Sequence, residues 1–150
     1  MKTSASGPVL AIIPCSREKI WDAEPQRGAV TAGAAYTSPL HLRCQEYAKR
    51  HADGWMVLSA KYGFLAPGDP VPGSYDVTFS RPDDPVVSDR VLANQAQAIN
   101  AQELLLLLPP EYEARVRHAF FGRNLPVRAP FAPWQDLATL EAQIVRALSE

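Results

Sequence analysis

The sequence has only two cysteines, Cys15 and Cys44, and no recognisable export signal. One lysine precedes the first apolar stretch, which is short, is interrupted by Pro14 and lacks a small-residue cleavage pattern behind it. Such a segment differs from a secretory signal peptide. We therefore expect two reduced thiols, no disulfide bond and a cytoplasmic location.

An excess of charge of one sign is also missing. The chain has 15 Lys and Arg residues against 16 Asp and Glu residues, which gives a formal net charge of -1. The electrostatic field of the whole protein therefore does not attract nucleic acid or membrane. A local basic groove is not excluded by this balance. The longest apolar run, residues 104–108, is far shorter than the roughly 20 residues of a membrane-spanning helix. We expect a soluble protein without a membrane partner.

Motifs for common cofactors and metals are missing as well. No G-x-G-x-x-G pattern follows the first apolar run, and no G-x-x-x-x-G-K-[ST] pattern occurs anywhere. Neither a dinucleotide cofactor nor P-loop hydrolysis is therefore indicated. The three histidines are scattered, and neither cysteine has a neighbouring ligand at metal spacing. We expect no metal and no cofactor.

What the sequence does contain is an alternation of strand and helix patterns over one domain, residues 1–150. Short apolar runs bounded by Gly or Pro predict buried strands. They cover residues 8–14, 55–59 and 103–108, with a shorter strand at 125–129. Helical patterns cover residues 38–53, 88–100 and 111–121 and the C-terminal segment from Pro133. This order predicts an α/β fold, a Rossmann-like three-layer sandwich with a mainly parallel sheet of four to five strands.

Several finer predictions concern the helix faces and loops. Ser38 and Pro39 are predicted to start one helix, and Ser88 another. The first of these helices is predicted to pack through Leu40, Cys44, Tyr47, Ala48 and His51. The last one is predicted to pack through Trp134, Leu137, Leu140, Ile144 and Leu148. Residues 16–37 are expected to form an irregular loop. Residues 64–86, rich in proline, are expected to form a second loop with at most an edge strand at 75–79.

Polar side chains follow two of the predicted strands directly. They are Cys15, Ser16 and Lys19 after the first strand, and Ser59, Lys61 and Tyr62 after the second. Ligands of open α/β sheets bind beyond the carboxyl ends of the strands, so we expect both clusters at one edge. Hydroxyls, exposed backbone N–H groups and lysine ammoniums are typical phosphate donors. The sequence therefore predicts an anion-binding crevice there.

The same crevice is a candidate for catalysis. Cys15 beside a lysine is a candidate nucleophile, and Lys19 or Lys61 is a candidate for Schiff-base chemistry. Asp76, next to Tyr75 in the proline-rich loop, is the nearest candidate carboxylate for general acid or base catalysis. Tyr36 in the first loop is either a stacking platform for a base or an anchor for a lid.

Structural interpretations of the same residues remain open. Cys15 after a buried strand is typical of a small core residue. The segment Lys61-Tyr62-Gly63 is equally typical of a turn with glycine at positive φ, and Asp76 of a turn hydrogen bond. Cys44 is predicted to pack in the core. The C-terminal third has a basic character from four arginines, Arg115, Arg117, Arg123 and Arg128. Their side chains either contact phosphates or only face solvent.

The segments "IIPCSREK" and "LSAKYGFL", with a downstream Tyr-Asp pair, resemble a family of bacterial and phage proteins of unknown function. The P-C-S-x-x-K element is similar to that of peroxide-stress YaaA-type proteins and of a domain of archaeosine synthases, which modify a 7-deazaguanine base in transfer RNA. The resemblance covers residues 9–79. It implies a nucleobase or nucleic-acid context for the motif residues Cys15, Ser16, Lys19, Lys61, Tyr62, Tyr75 and Asp76.

Three functions follow from these observations. The first is an enzyme that binds a nucleotide, nucleobase or nucleic acid and acts on an N-glycosidic bond or a modified base. A carboxylate suits the oxocarbenium-like centre or the attacking water, while lysines suit phosphates and the departing base. The alternatives are a thiol enzyme that depends on Cys15 and a non-catalytic module that binds nucleic acid.

Overall fold

The computed structural model describes residues 8–132 and 136–149. In chain order, the described residues form β1 (Val9–Pro14), α1 (Ile20–Ala23), β2 (Val30–Thr31), α2 (Ala32–Ala35), α3 (Pro39–His51), β3 (Gly54–Ser59), β4 (Gly63–Leu65), β5 (Pro70–Val71), α4 (Asp89–Ala98), β6 (Glu103–Leu106), α5 (Pro110–Ala119), β7 (Val127–Arg128) and α6 (Leu137–Leu148).

A five-stranded sheet forms the centre of this described part. Its strands lie in the order β4, β3, β1, β6, β7, and β2 pairs with β5 in a separate two-stranded sheet. All neighbours in the larger sheet are parallel except β4, which is antiparallel to β3. The predicted α/β fold with a mainly parallel sheet is confirmed at this level.

The central strands are buried because their side chains are apolar on both faces. Neighbouring side chains of a strand point to opposite faces of the sheet. Ile13 accordingly joins a core with residues of α3 and α6, whereas Ile12 joins a second core with residues of α4 and α5. Helices therefore cover both faces of the sheet.

Two helix starts agree with the sequence. The Ser38 side chain accepts a hydrogen bond from the His41 backbone N–H at 3.0 Å, and Pro39 occupies the first turn of α3. Ser88 caps α4 in the same way, through the Val91 N–H at 3.1 Å. Each cap satisfies a backbone donor that the helix leaves unpaired, which fixes where the helix begins.

The predicted contact face of α3 is only partly correct. Cys44 and Ala48 are buried as expected, and the half-buried Leu40 and Tyr47 pack against the same core, whereas His51 is exposed. The remaining buried positions are His41 and Gln45. Neither polar side chain was among the residues that the pattern predicted to pack. They are buried because they bond to each other and to backbone carbonyl groups, as described below.

Both loop predictions need correction. Residues 16–37 contain α1, β2 and α2, which are too short to produce a detectable period. No strand forms at residues 75–79 of the described structure, where the sequence allowed at most an edge strand, and the strands of this region are β4 and β5. Tyr75 and Phe79 are instead each buried in the core without strand pairing. The hairpin partner of β3, β4, was also assigned to the loop.

The C-terminal helix begins at Leu137, with Asp136 as its cap. Pro133 and Trp134, the predicted start of the helix and the first residue of its stripe, lie outside the described residues. Leu140 and Ile144 are buried as predicted. No helix in the described part of the chain is long and apolar enough to cross a membrane.

Candidate functional site

The predicted strand-end clusters lie at the same edge of the sheet. β1 and β3 are parallel neighbours, and their register pairs Pro14 with Leu58. Cys15 and Ser59 follow these two residues, and the Cys15 N–H donates to the Leu58 carbonyl at 3.1 Å. We call the space beyond this edge, bounded by the loop after β1 and by residues 74–76, the crevice.

Three hydroxyl groups form a buried chain at the floor of the crevice. The Tyr75 hydroxyl lies 2.7 Å from Ser59 Oγ and 2.5 Å from the Tyr36 hydroxyl. Ser59 Oγ also accepts the backbone N–H groups of Lys61 and Tyr62, at 3.1 and 3.0 Å. We call Ser59, Tyr75 and Tyr36 the hydroxyl chain. Burial raises the pKa of Tyr36 and of Tyr75, so both phenols keep their protons.

Lys19 is buried beside this chain, with 2% of its surface exposed. Its backbone pairs with Tyr36 in an isolated bridge, and its N–H donates to the Asp22 carboxylate at 2.9 Å. Its Nζ lies 4.4 Å from the centre of the Tyr75 ring and donates to the Arg17 carbonyl at 3.2 Å. Burial lowers the pKa of Lys19, since desolvation disfavours its charged form. Lys19 is thus not the open phosphate ligand that the sequence indicated.

Lys61 and Tyr62 occupy the turn between β3 and β4. Lys61 is exposed, and its Nζ lies 5.3 Å from the Tyr62 ring centre and 5.7 Å from that of Tyr75. Tyr62 is half-buried and meets Tyr75 edge to face at 5.4 Å. Gly63 has a φ of 86°, which confirms the turn interpretation of this segment. The turn holds the Lys61 ammonium against the crevice, so the two interpretations are compatible.

Cys15 is half-buried, and its surroundings come from distant parts of the chain. Its Sγ lies 3.5 Å from the Tyr112 hydroxyl, which lies 3.1 Å from Thr78 Oγ1. Neither Tyr112 on α5 nor Thr78 was indicated by the sequence, because no motif connects them to Cys15. Cys44 is fully buried, and burial raises the pKa of its thiol to about 12, in agreement with its predicted packing role.

Asp76 lies at the rim of the crevice with an exposed side chain. Arg81 donates to its carboxylate at 3.0 Å and to its backbone carbonyl at 2.8 Å. Asp84 accepts a second hydrogen bond from Arg81, at 2.9 Å. A cavity of about 650 Å³ opens here, lined by Arg17, Glu18, Asp22, Ser74, Tyr75 and Asp76. Ser16 turns its hydroxyl to the Glu18 carbonyl, at 2.6 Å.

The buried His41 of α3 holds the end of β1 in place. Gln45 Nε2 donates to the Gly33 carbonyl at 3.1 Å and lies 2.9 Å from His41 Nε2. His41 Nε2 is therefore the acceptor, and Nδ1 carries the proton that is donated to the Pro14 carbonyl at 2.8 Å. Burial lowers the pKa of His41 to about 4. This neutral imidazole fixes the backbone immediately before Cys15.

The four arginines of the C-terminal third are all engaged within the chain. Arg115 pairs with Asp89 at 3.0 Å, Arg117 with Glu113 at 2.8 Å, and Arg128 with Glu103. Arg123 donates to the carbonyls of Ala96, Ile99 and Ala101. They lie outside the crevice. In the described residues, no group of three or more His, Cys, Asp or Glu side chains is arranged to hold a metal ion.

A family model described as a family of unknown function (DUF6884) matches residues 10–137. The chain belongs to this family. All crevice residues lie within the matched segment of this DUF6884 chain. Uncharacterized protein YfjM of Bacillus subtilis (strain 168) is 37% identical to it over 144 residues, which cover 94% of this chain and 95% of that protein. The expected membership of an uncharacterised bacterial family is confirmed. No solved structure matches the chain.

Proposed function

We propose that this chain binds a nucleotide or a nucleobase in the crevice and cleaves or exchanges an N-glycosidic bond. The observation that carries the proposal is the approach of two lysine ammonium groups to the ring of Tyr75, a residue that lines one cavity together with Asp76. Breaking a glycosidic bond calls for a carboxylate near the sugar and for cations near phosphate and departing base.

Each residue then has a distinct role. Asp76 stabilises the positive charge that develops at the sugar carbon or takes the proton of the attacking water. Arg81 orients that carboxylate. Lys61, exposed at the rim, binds phosphate, and the half-buried Tyr62 offers its ring to a base. Tyr36 does not stack on a ligand, because only 1% of its surface is exposed.

The catalytic part of the proposal is tested by Asp76→Asn. The protein is incubated with nucleosides, nucleotides and short DNA and RNA oligonucleotides, and released base is quantified by chromatography with mass detection. Asn keeps an acceptor for Arg81 but loses the charge, so release is expected to fall by about 100-fold or more. Asp83→Asn, an exposed carboxylate of the same loop, is the matched control. Equal release by both variants would remove Asp76 from the mechanism.

The binding part is tested by thermal shift with the same ligands. A ligand that binds only the folded state raises the melting temperature by mass action. Lys61→Ala is expected to abolish the shift with the nucleotides and oligonucleotides, whose phosphate Lys61 binds, whereas Lys49→Ala is not. Lys49 is an apt control because it is also exposed and also faces an aromatic ring, Trp55, at 5.9 Å. Salt-dependent binding of oligonucleotides without released base would favour the non-catalytic module instead.

A thiol enzyme is the second candidate, favoured by the half-buried Cys15 at the crevice and by its electrostatic interaction with Lys19. Alkylation of Cys15 relative to Cys44 does not test it, because Cys44 is fully buried and reacts slowly in either case. The informative comparison is the alkylation rate of Cys15 in a Cys44→Ala background against that of free N-acetylcysteine at pH 7. A nucleophilic Cys15 reacts faster than the free thiol, and a packing residue reacts more slowly.

We further propose that the sheet and its two helix layers form a Rossmann-like sandwich. The position of the crevice beyond the carboxyl ends of parallel strands supports this assignment. The similarity of the P-C-S-x-x-K element to YaaA-type proteins and archaeosine synthases then reflects a shared nucleobase context. A measured structure with a nucleoside at the strand ends would test both assignments together.

A further inference from the structure

An apolar cavity lies beside β7, the strand at one edge of the sheet, and shares no residue with the lining of the crevice. Its volume is about 390 Å³. The apolar side chains that line it come from β6, from α5 and its cap, and from the segment that leads into β7: Leu104, Leu106, Val116, Phe120, Leu125 and Val127. A cavity of about 150 Å³ with walls of this kind holds a benzene molecule. The cavity beside β7 therefore has room for an aromatic side chain.

Phe121 also lines this cavity, yet 89% of its surface is exposed. Its neighbour Phe120 is 5% exposed, and the next most exposed large apolar side chain among the described residues, Leu42, reaches 45%. Burial of a phenyl ring is strongly favourable. The exposure of Phe121 therefore costs stability unless another surface covers its ring.

The turn that carries Phe121 is held in place by its neighbours. Gly122 has a φ of 97°, a backbone conformation that favours glycine. Arg123 donates to the carbonyls of Ala96 and Ile99 at 2.8 and 2.7 Å, which ties the turn to the end of α4. The ring of Phe121 is thus held outward by an ordered backbone, which lowers the entropic cost of binding a partner there.

The charges around the cavity are balanced within the chain. Arg117 pairs with Glu113 at 2.8 Å, and Arg128 pairs with Glu103. These two ion pairs leave the face without a strong charge of either sign. Such a face does not repel a copy of itself and gives a highly acidic or basic partner no advantage. The charge pattern therefore favours a second copy of the chain over nucleic acid.

The ends of the described ranges do not indicate a cover from the same chain. Residues 1–7 contain no aromatic residue, and their one large apolar residue is Met1. Residues 133–135 follow Phe131, which meets Tyr47 of α3 edge to face at 5.2 Å and so packs on the other face of the sheet. A second copy is the occupant that the described residues favour.

We propose that this face is a dimer interface, in which two copies meet about a two-fold axis and each Phe121 enters the apolar cavity of the other copy. A two-fold interface requires a surface that contains both halves of each contact. Phe121 and the cavity meet this requirement because they lie on one face. The edge of the sheet at β7 lies in the same interface, and edges of sheets are commonly covered in this way. The dimer goes beyond the proposed function, since the crevice has no part in it.

Sedimentation velocity of the full chain over a range of concentrations tests the assembly, and we expect a reversible equilibrium between monomer and dimer. Phe121→Ser is expected to raise the dissociation constant by about 100-fold or more, because each dimer buries two phenyl rings. Leu42→Ser is the matched control, since Leu42 is also an exposed apolar residue but lies on α3. It is expected to leave the dissociation constant unchanged.

Photocrosslinking tests where Phe121 lies in the dimer. The variant Phe121→p-benzoylphenylalanine is mixed with unmodified chain labelled with heavy nitrogen, irradiated, digested and analysed by mass spectrometry. The label separates crosslinks between copies from crosslinks within one copy. We expect crosslinks between copies on peptides that contain Val116, Leu125 or Val127.

Three outcomes would overturn the proposal. They are a chain that stays monomeric at every concentration, a dimer whose dissociation constant is unaffected by Phe121→Ser, and crosslinks between copies that lie away from the cavity. Growth into species larger than a dimer would overturn the two-fold arrangement, because a contact that does not close produces open chains. None of these results bears on the release of base, so the proposed function is judged separately.

Discussion

Several polar side chains are buried in the core of this protein. In the described part of the chain these are Lys19, His41, Gln45 and Ser59. Each is tolerated in the core because it donates to or accepts from a neighbour, as buried polar groups must. Two of them, Lys19 and Ser59, belong to the crevice, and the other two support it. The burial of polar side chains in this fold is thus concentrated at the candidate site.

His41 makes the stability of the chain depend on pH. Its pKa lies at about 4 in the folded chain and at its ordinary value of 6.5 when unfolded. The unfolded state therefore binds the proton first as the pH falls. The contribution of neutral His41 to the free energy of unfolding is complete above pH 6.5. It is lost progressively down to pH 4, by about 3 kcal/mol. Urea unfolding of the wild type and of His41→Gln between pH 4 and 7 measures this, and parallel curves would contradict it.

At the scale of elements, the β3–β4 hairpin presents the Lys61 ammonium to the crevice. Its turn depends on Gly63, whose φ of 86° is strained for other residues. A Cβ there would lie 2.2 Å from Gln95 Oε1. That oxygen accepts the Phe64 N–H at 2.9 Å, and Gln95 Nε2 donates to the Tyr62 carbonyl at 3.1 Å. Gln95, a residue of α4, thus holds the turn in place through two hydrogen bonds.

Gly63→Ala is expected to lower the free energy of unfolding by about 2 kcal/mol, from the backbone conformation and the displaced Gln95. Gly68→Ala is the matched control, since a Cβ at Gly68 meets no atom within 4 Å and its φ is ordinary. Chemical denaturation measures both. A cost for Gly63→Ala no larger than that for Gly68→Ala would show that the turn does not require glycine.

At the scale of the whole molecule, one sheet separates two cores. Leu105 belongs to the core with α3 and α6, and its neighbour Leu106 belongs to the core with α4 and α5. Both side chains are at most 1% exposed. Because the cores share the strands β1, β3 and β6, we expect them to unfold together.

Leu105→Ala and Leu106→Ala are therefore each expected to lower the free energy of unfolding by about 2–5 kcal/mol. Both variants are expected to unfold in one cooperative transition. Leu42→Ala, at a position that is 45% exposed, is expected to cost far less. Thermal unfolding followed by calorimetry and circular dichroism provides the test. Two separate transitions in either variant would mean that the cores fold independently.

Local sequence patterns predict the strands β1, β3 and β6, the caps of α3 and α4, and the edge at which Cys15 and Ser59 meet. These follow from local apolar runs, from cap chemistry and from the rule that parallel strands end together. The sequence also marked Lys19, Lys61, Tyr75 and Asp76 as residues of one site. Their mutual placement and exposure stayed undetermined.

The burial of Lys19, the exposure of Lys61 and the role of Tyr36 as a hydrogen-bond partner in place of a stacking platform follow from packing between distant parts of the chain. Only tertiary contacts brought Tyr112 to Cys15 and Thr78. A hydrogen bond such as that between Tyr36 and Tyr75 joins residues 39 positions apart. Local patterns carry no information about such pairs, because they arise from how the loops fold back over the sheet.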